Sequence, residues 1–131
     1  MSAPSRTLLD TSVVIGPDPG LGGDLAISAI TLAELHFGVL VTPDPGVRAE
    51  RLRRLSLLHA EFEPLPVDAA VAAAYGQLAA AVVASGRQPR RRALDLLIAA
   101  TARVHGARLA TRNPADFAGL DPWVEIVAVE G

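Results

Sequence analysis

Apolar positions recur in two rhythms along the chain, and together they predict strands separated by helices. Short apolar runs indicate strands, whereas apolar residues three or four positions apart indicate helices. The predicted strands cover residues 7–9, 62–67, 108–111 and 124–129, and the predicted helices cover residues 31–40, 47–59, 69–86 and 93–105. A short helical turn is expected to open at Asn113-Pro114. This order favours an α/β domain with a mostly parallel sheet.

Residue types at the helix ends support these boundaries. Thr31 precedes Glu34 by three residues, which is the spacing of a capping box at a helix start. Asp68 is the expected N-cap of the third helix, and Gly86 and Gly106 are the expected stop signals of the last two. The first two helices are expected to form a hairpin. On the second of them, one side carries leucines and another carries arginines: Leu52, Leu55, Leu58, and Arg48, Arg51, Arg54.

Residues 69–86 carry no charge and just reach the ~18 residues needed for a membrane span. Most of them are Ala, and Gly76, Gln77 and Ser85 interrupt the run, so its transfer into lipid is weakly favoured. A helix packed in a protein core is the better interpretation.

Composition narrows the class of protein. The chain has 131 residues, half of them apolar, which fits one domain spanning residues 1–131. Cys is absent, which excludes disulfides, thiolate zinc sites and thiol nucleophiles and favours a reducing cytoplasm. Residues 1–6 are polar, so no secretory signal is expected at the start.

All 12 basic residues are Arg. The absence of Lys excludes Walker-type phosphate loops, Schiff-base enzymes and phospho-aspartyl enzymes in their usual form, because each places an ammonium on a phosphate or carbonyl. The net charge of −2 gives no global field for nucleic acid, so affinity for phosphate must come from local Arg clusters.

Four acidic residues stand among apolar or small neighbours: Asp10, Glu34, Asp95 and Asp116. Three of them have structural alternatives. Asp10 can cap the turn after its strand, Glu34 can complete the capping box, and Asp116 can complement the dipole of the turn after Asn113. Asp95 is harder to explain this way, because it shares a stripe of small residues with Ala99 and Ala102, beside a packed stripe formed by Leu94, Leu97, Ile98 and Thr101.

Asp10 and Asp116 follow strands of the predicted sheet, and ligands of such sheets bind beyond the carboxyl ends of the strands. Carboxylates that converge there repel one another unless a cation neutralises them. Ligation by oxygen alone suits Mg²⁺ or Mn²⁺ and metal-assisted phosphoryl chemistry. Zn²⁺ is disfavoured, because the histidines show no metal-ligand spacing: His36, His59 and His105.

Four segments, residues 8–12, 28–35, 95–102 and 109–117, resemble the PIN-domain ribonucleases and, among them, the VapC toxins of bacterial toxin–antitoxin pairs. They occur in the family's order and span nearly the whole chain. The resemblance implies a three-layer α/β/α domain with a small, mostly parallel sheet flanked by helices. It also implies an acidic pocket for one or two Mg²⁺ or Mn²⁺ ions, with the catalytic and metal-binding positions on Asp10, Glu34, Asp95 and Asp116.

By the same matching, Thr11 and Ser12 line the pocket beside Asp10, and Thr111 and Asn113 orient Asp116 or a bound water. The implied reaction is hydrolysis of RNA by a metal-activated water, leaving a 5′-phosphate. The implied partners are a VapB-type antitoxin, docked across the helix hairpin near residues 31–60, and a second copy of the chain in a homodimer. The interval between Asp10 and Glu34 is shorter than is usual in the family.

Basic residues flank two of the matching segments. Arg90, Arg91 and Arg92 precede Asp95 and are candidates for a clamp on RNA phosphate. The alternatives are a solvated loop or a contact to acidic residues of another subunit. Arg112 is a candidate for RNA phosphate or for a structural ion pair with Asp116.

Two other functions remain open. A metal-dependent phosphatase is possible, although the absent Lys and the Asp10-Thr11-Ser12 sequence count against a phospho-aspartyl mechanism. A catalytically silent binding module with the same fold is the other alternative, and the presence of all four carboxylates argues against it. A short DNA-binding antitoxin encoded in the preceding reading frame would favour the toxin interpretation over both alternatives.

Overall fold

The computed structural model describes residues 6–130, and a four-stranded parallel sheet lies at its centre. Its strands are β1 (Arg6–Leu9), β2 (Asp24–Ala26), β3 (Arg108–Thr111) and β4 (Ile126–Ala128), in the order β2-β1-β3-β4. The predicted parallel α/β architecture is therefore confirmed. The expectation that no secretory signal is present concerns residues 1–6, and all but Arg6 lie outside the described residues.

In this described part of the chain, five helices accompany the sheet: α1 (Thr11–Val14), α2 (Ala29–Val41), α3 (Pro45–Glu61), α4 (Ala69–Ala84) and α5 (Ala93–Val104). Two short 3-10 turns, Pro89–Arg92 and Pro114–Phe117, precede and follow the α5–β3 unit. Asp68 caps α4 by accepting a hydrogen bond from the Val71 N–H at 3.0 Å, as expected. The glycine stops are also in place, since Gly86 and Gly106 adopt positive φ angles of 83° and 61° just beyond their helices.

Alternation of side chains along the strands separates the core into two parts, one on each face of the sheet. Leu8 and Leu109 pack on one face with residues of α4 and α5. Leu9 and Ala110 pack on the other face with Val13 of α1. The sheet thus has helices on both faces, which confirms the expected three-layer α/β/α arrangement.

Two strand predictions need correction. Residues 62–67 form no named strand and contribute only a bridge between Leu65 and Ser28, because Pro64 and Pro66 have no N–H to extend a ladder. Strand β2 was not predicted, since Asp24–Ala26 is too short to show a period. Its first residue joins the sheet edge through an ion pair of 2.9 Å between Arg6 Nε and Asp24 Oδ2.

The predicted capping box at Thr31 and Glu34 is wrong. Helix α2 begins at Ala29, and its N-cap is Ser28, whose Oγ accepts a hydrogen bond from the Ile30 N–H at 3.0 Å. The bridge to Leu65 holds Ser28 in an extended conformation, so the helix starts just after it. Thr31 and Glu34 are therefore interior residues of α2, and their side chains are available for other contacts.

Packing of α4 and α5 also differs in part from the prediction. Helix α4 buries Val71, Ala74, Leu78 and Val82, as a core helix should. On α5, Ala99 and Ala102 are fully buried, whereas Leu94, expected in the packed stripe, is 48% exposed. Within residues 6–130, no helix combines the length and apolarity that a membrane crossing requires.

Helices α2 and α3 form the expected hairpin, and Arg51 Nη1 ties them together by donating to the Gly38 carbonyl at 2.7 Å. Of the three leucines expected on the packed side of α3, Leu55 is buried, Leu58 is partly buried and Leu52 is exposed. The hairpin thus buries little of its apolar surface, because α3 contacts α2 more than it contacts the sheet.

Candidate active site

The centre of the site is Asp10, at the carboxyl end of β1. Leu9 pairs with Ala110 of β3, so Asp10 lies beside Thr111, the last residue of that strand. The Asp10 side chain is 6% exposed, and its Oδ2 accepts hydrogen bonds from Ser12 Oγ and Thr111 Oγ1, each at 2.8 Å. It makes no capping bond to α1, so the structural alternative for Asp10 is wrong. Two hydroxyl groups instead fix the orientation of this carboxylate.

A second hydroxyl network orients Glu34. Thr11 Oγ1 donates to Glu34 Oε1 at 2.8 Å, and the Thr11 and Thr31 hydroxyl oxygens lie 3.0 Å apart. A hydroxyl group has one proton, so Thr31 must donate to Thr11 when Thr11 donates to Glu34. Sequence reasoning assigned Thr31 to a cap and missed this role. Its position one helical turn before Glu34 was the available signal.

Asp95, in the first turn of α5, is partly buried and surrounded by negative charge. The pKa of Asp95 is raised to about 6, mainly by burial and further by repulsion from Asp10, Asp116 and Glu34. Asp95 is therefore close enough to the other three predicted carboxylates to sense their charge, although they lie far apart in the sequence.

Asp116 belongs to the 3-10 turn Pro114–Phe117, and Arg92 partly neutralises it across an N–O distance of 3.5 Å. Arg92 also opposes the rise in the pKa of Asp95. Its Nη1 donates to the Ala115 carbonyl at 3.0 Å, which links the turn before α5 to the turn after β3.

The expected arrangement around Asp116 needs correction. The Thr111 hydroxyl donates to Asp10 rather than to Asp116, because the side chain at the end of β3 points toward the neighbouring strand β1. Asn113 acts through its backbone: its carbonyl accepts from the Asp116 N–H at 3.0 Å, and its N–H donates to Thr111 Oγ1 at 3.0 Å.

The other predicted arginines differ in their placement. Arg90 and Arg91 are exposed in the 3-10 turn Pro89–Arg92, where the sequence predicted a loop. Arg91 and Arg92 line a surface depression of about 580 Å³ with Arg87. Arg112 braces the segment after α1 and the C-terminal segment, since its guanidinium donates to the carbonyls of Pro17 and Glu130.

The donor chemistry of the site fits a hard divalent cation, because it consists of four carboxylates and several hydroxyl groups. In residues 6–130, no three His, Asp or Glu side chains are close enough to ligate one ion directly. Mg²⁺ does not require such a set, since it usually keeps several waters and contacts one or two protein carboxylates. His36 and His59 pair with each other on the hairpin, with ring centroids 5.6 Å apart.

Comparison with known proteins agrees with this geometry. The sequence pattern of the PIN domain matches residues 7–121, so the chain belongs to the PIN-domain family. It is 38% identical to Ribonuclease VapC4 of Mycobacterium tuberculosis over 132 residues, which cover 95% of this chain and 97% of that protein. It is also 38% identical to Ribonuclease VapC5 of the same organism over 137 residues, 98% of each chain.

A solved structure supports the same family. The chain superposes with a TM-score of 0.84 and 39% identity on a crystal structure described as VapBC-5, a member of the VapBC family of toxin–antitoxin systems from Mycobacterium tuberculosis. The match covers 96% of this chain and 100% of that one. The family expected from the four sequence segments is thus confirmed.

Proposed function

We propose that this protein is a Mg²⁺- or Mn²⁺-dependent endoribonuclease and the toxin of a toxin–antitoxin pair. The observation that carries the proposal is the convergence of Asp10, Glu34 and Asp116 on Asp95, close enough that their charges help to raise the pKa of Asp95. Such repulsion is costly to the fold and is relieved when a cation binds. The relatives named as VapC ribonucleases support RNA as the substrate.

Each part of the site has a task in this reaction. Ser12 and Thr111 hold Asp10, and Thr31 and Thr11 hold Glu34, so both carboxylates are oriented before a ligand arrives. Together with Asp95 and Asp116 they would hold the cation, which supplies a Lewis acid that activates water and stabilises charge on the phosphate. Arg92 limits the negative charge between Asp95 and Asp116. Arg90 and Arg91, exposed beside them, would bind RNA phosphate.

A VapB-type antitoxin would neutralise the enzyme by docking on the α2–α3 hairpin and covering the carboxylates. The related crystal structure described as a VapBC toxin–antitoxin system supports this partner. Phe37, Leu40 and Val41 lie on one side of α2 and are 66%, 74% and 56% exposed, which gives the antitoxin an apolar surface. A homodimer and a cytoplasmic location complete the proposal.

The direct test is incubation with a mixed RNA pool in Mg²⁺ or in EDTA, followed by mapping of the cleaved ends. We expect cleavage only with the metal and only with 5′-phosphate products. Asp10→Asn should abolish cleavage while leaving the thermal midpoint nearly unchanged, and Asp121→Asn, which alters an exposed carboxylate, should be fully active. Cleavage that persists in EDTA would overturn the proposal. Phosphatase activity without RNA cleavage would favour the metal-dependent phosphatase instead.

A further inference from the structure

A cleft of about 420 Å³ opens beside the Glu34 carboxylate, between α2, α3 and the end of α1. Its lining includes Thr11 and Glu34 of the site and the apolar side chains of Ile15 and Leu35. Two arginines of α3, Arg51 and Arg54, also line it. Ligand pockets in proteins typically measure about 300–1,000 Å³, so the cleft has room for a nucleotide-sized group.

Both guanidinium groups are held in place by backbone carbonyls. Arg51 Nη1 donates to the Gly38 carbonyl at 2.7 Å, and Arg54 Nη1 donates to the Ile15 carbonyl at 2.6 Å. A guanidinium has five N–H donors, and each of these bonds uses one of them. The anchoring reduces the entropy lost on binding and leaves donors for an anion in the cleft.

The charges of these arginines are not cancelled by close ion pairs. Within residues 6–130, neither Arg51 nor Arg54 lies within ion-pair distance of a carboxylate. Glu50 of α3 lies on the neighbouring surface, and its pKa is lowered mainly by its hydrogen bond with Arg53 and least by Arg54. Because Glu50 is paired with Arg53 at 2.6 Å, Arg51 and Arg54 keep a positive charge in the cleft that Glu34 also lines.

We propose that Arg51 and Arg54 bind a backbone phosphate of the RNA strand, next to the phosphate that is cut. This inference rests on the proposed ribonuclease function and adds a second anchor point for its substrate. A planar guanidinium donates two parallel hydrogen bonds to a phosphate, and two of them on one helix face form a fork for a single phosphate group. The apolar wall at Ile15 and Leu35 would contact the attached ribose or base.

A purely bracing role for the two arginines predicts different behaviour from a phosphate site. A brace stabilises the hairpin and leaves the salt dependence of RNA binding unchanged. A phosphate contact contributes to the slope of log K against log salt, by about 0.7 per contact for a single strand. Salt dependence therefore separates the two roles.

The test measures binding of a fluorescent 2′-O-methyl RNA oligonucleotide of mixed sequence, between about 50 and 200 mM salt. The variant pair Arg51→Gln/Arg54→Gln should lose about tenfold in affinity and about 0.7 in slope, the contribution of one phosphate contact. The matched control pair Arg48→Gln/Arg103→Gln removes two guanidinium groups that also donate to backbone carbonyls, those of Thr42 and Trp123, but lie outside the cleft, and it should change neither. The pair Arg51→Lys/Arg54→Lys keeps the charge and should retain the slope but only part of the affinity.

The outcomes are separable. Equal slopes for the Arg51/Arg54 and Arg48/Arg103 glutamine pairs would overturn the phosphate site while wild-type cleavage still supports the ribonuclease. Unchanged RNA binding with weakened neutralisation by the antitoxin would assign the cleft to the antitoxin and likewise overturn it. A wild-type protein that neither binds nor cleaves RNA in Mg²⁺ would overturn the proposed function itself. If the double variant fails to fold, Arg51→Gln and Arg54→Gln singly carry the same comparison.

Discussion

The hydroxyl oxygens of Thr31 and Thr11 lie 3.0 Å apart. Through this contact Thr31, a fully buried residue of α2, orients the Glu34 carboxylate by way of Thr11. Thr31 donates to Thr11, and Thr11 in turn donates to Glu34 at 2.8 Å. This hydrogen-bond relay from Thr31 through Thr11 to Glu34 joins α1 to α2. Thr31 thereby orients Glu34 without a hydrogen bond of its own to that residue.

Thr31→Val should therefore weaken metal binding although Thr31 is not itself a ligand. Valine keeps the shape of threonine and removes the hydroxyl, so Thr11 loses its donor and Glu34 loses a fixed orientation. Metal affinity should fall about tenfold or more, and the free energy of unfolding should fall by about 1 kcal/mol. Calorimetric Mn²⁺ titration and urea unfolding measure the two effects. Thr31→Ser, which keeps the hydroxyl, should restore most of the affinity; equal loss in both variants would contradict the relay.

Asp95→Asn should stabilise the metal-free protein at neutral pH. Folding raises the pKa of Asp95 from 3.8 to about 6, so the folded state holds this proton more tightly than the unfolded state. As the pH rises from about 4 to 6, the ionisation of Asp95 lowers the free energy of unfolding, and this loss remains at higher pH. The variant should gain on the order of 1 kcal/mol at pH 7.5 and nothing at pH 4.

Urea unfolding in EDTA at the two pH values measures this gain. Added Mg²⁺ should stabilise the wild type and leave Asp95→Asn nearly unaffected, which reverses their order. A variant that is less stable than the wild type at pH 7.5 in EDTA would contradict the electrostatic account.

Arg92→Gln should raise the pKa of Asp95 further. Arg92 opposes the rise caused by burial and by the other carboxylates, so its removal leaves that rise uncompensated. A carboxyl ¹³C NMR titration of the metal-free protein measures the midpoint directly. Arg91→Gln removes the same charge from an exposed neighbour and should leave the midpoint in place. A midpoint that falls, or that moves equally in both variants, would show that Arg92 does not act on Asp95.

Gly76→Ala should stabilise the fold by about 0.5–1 kcal/mol. Gly76 is an interior residue of α4, and an added Cβ would meet no atom within 4 Å, so the change removes backbone entropy from the unfolded chain without a clash. Gly86→Ala is the opposite case, since Gly86 has a φ angle of 83° that alanine rarely adopts. It should destabilise the protein. Thermal unfolding of both variants checks the signs.

The sequence was sufficient to predict that Asp10 and Asp116 lie at the same edge of the sheet, but not which side chains hydrogen-bond to them. Asp10 and Asp116 each follow a strand, and the carboxyl ends of parallel strands meet at one edge, so their proximity could be predicted. The pairing of Asp10 with Thr111 could not, because 101 residues separate them and the order of strands is a property of the whole fold.

Local sequence patterns also gave wrong predictions at positions where tertiary contacts determine what a side chain does. Thr31 and Glu34 have the spacing of a capping box, but the bridge from Ser28 to Leu65 moves the helix start earlier and releases both side chains into the site. Arg51 and Arg54 looked like the polar side of an ordinary surface helix. Only the hairpin geometry places them in the cleft beside Glu34.

We expect the carboxylate cluster to hold a divalent cation, and Mn²⁺ titration followed by electron paramagnetic resonance tests this site most directly. The wild type should bind Mn²⁺ with displacement by Mg²⁺, and Asp95→Asn should bind at least about tenfold more weakly. Asp121→Asn, with its exposed carboxylate, should bind as the wild type does. Equal Mn²⁺ affinity in wild type and Asp95→Asn would contradict the assignment of this cluster as the metal site.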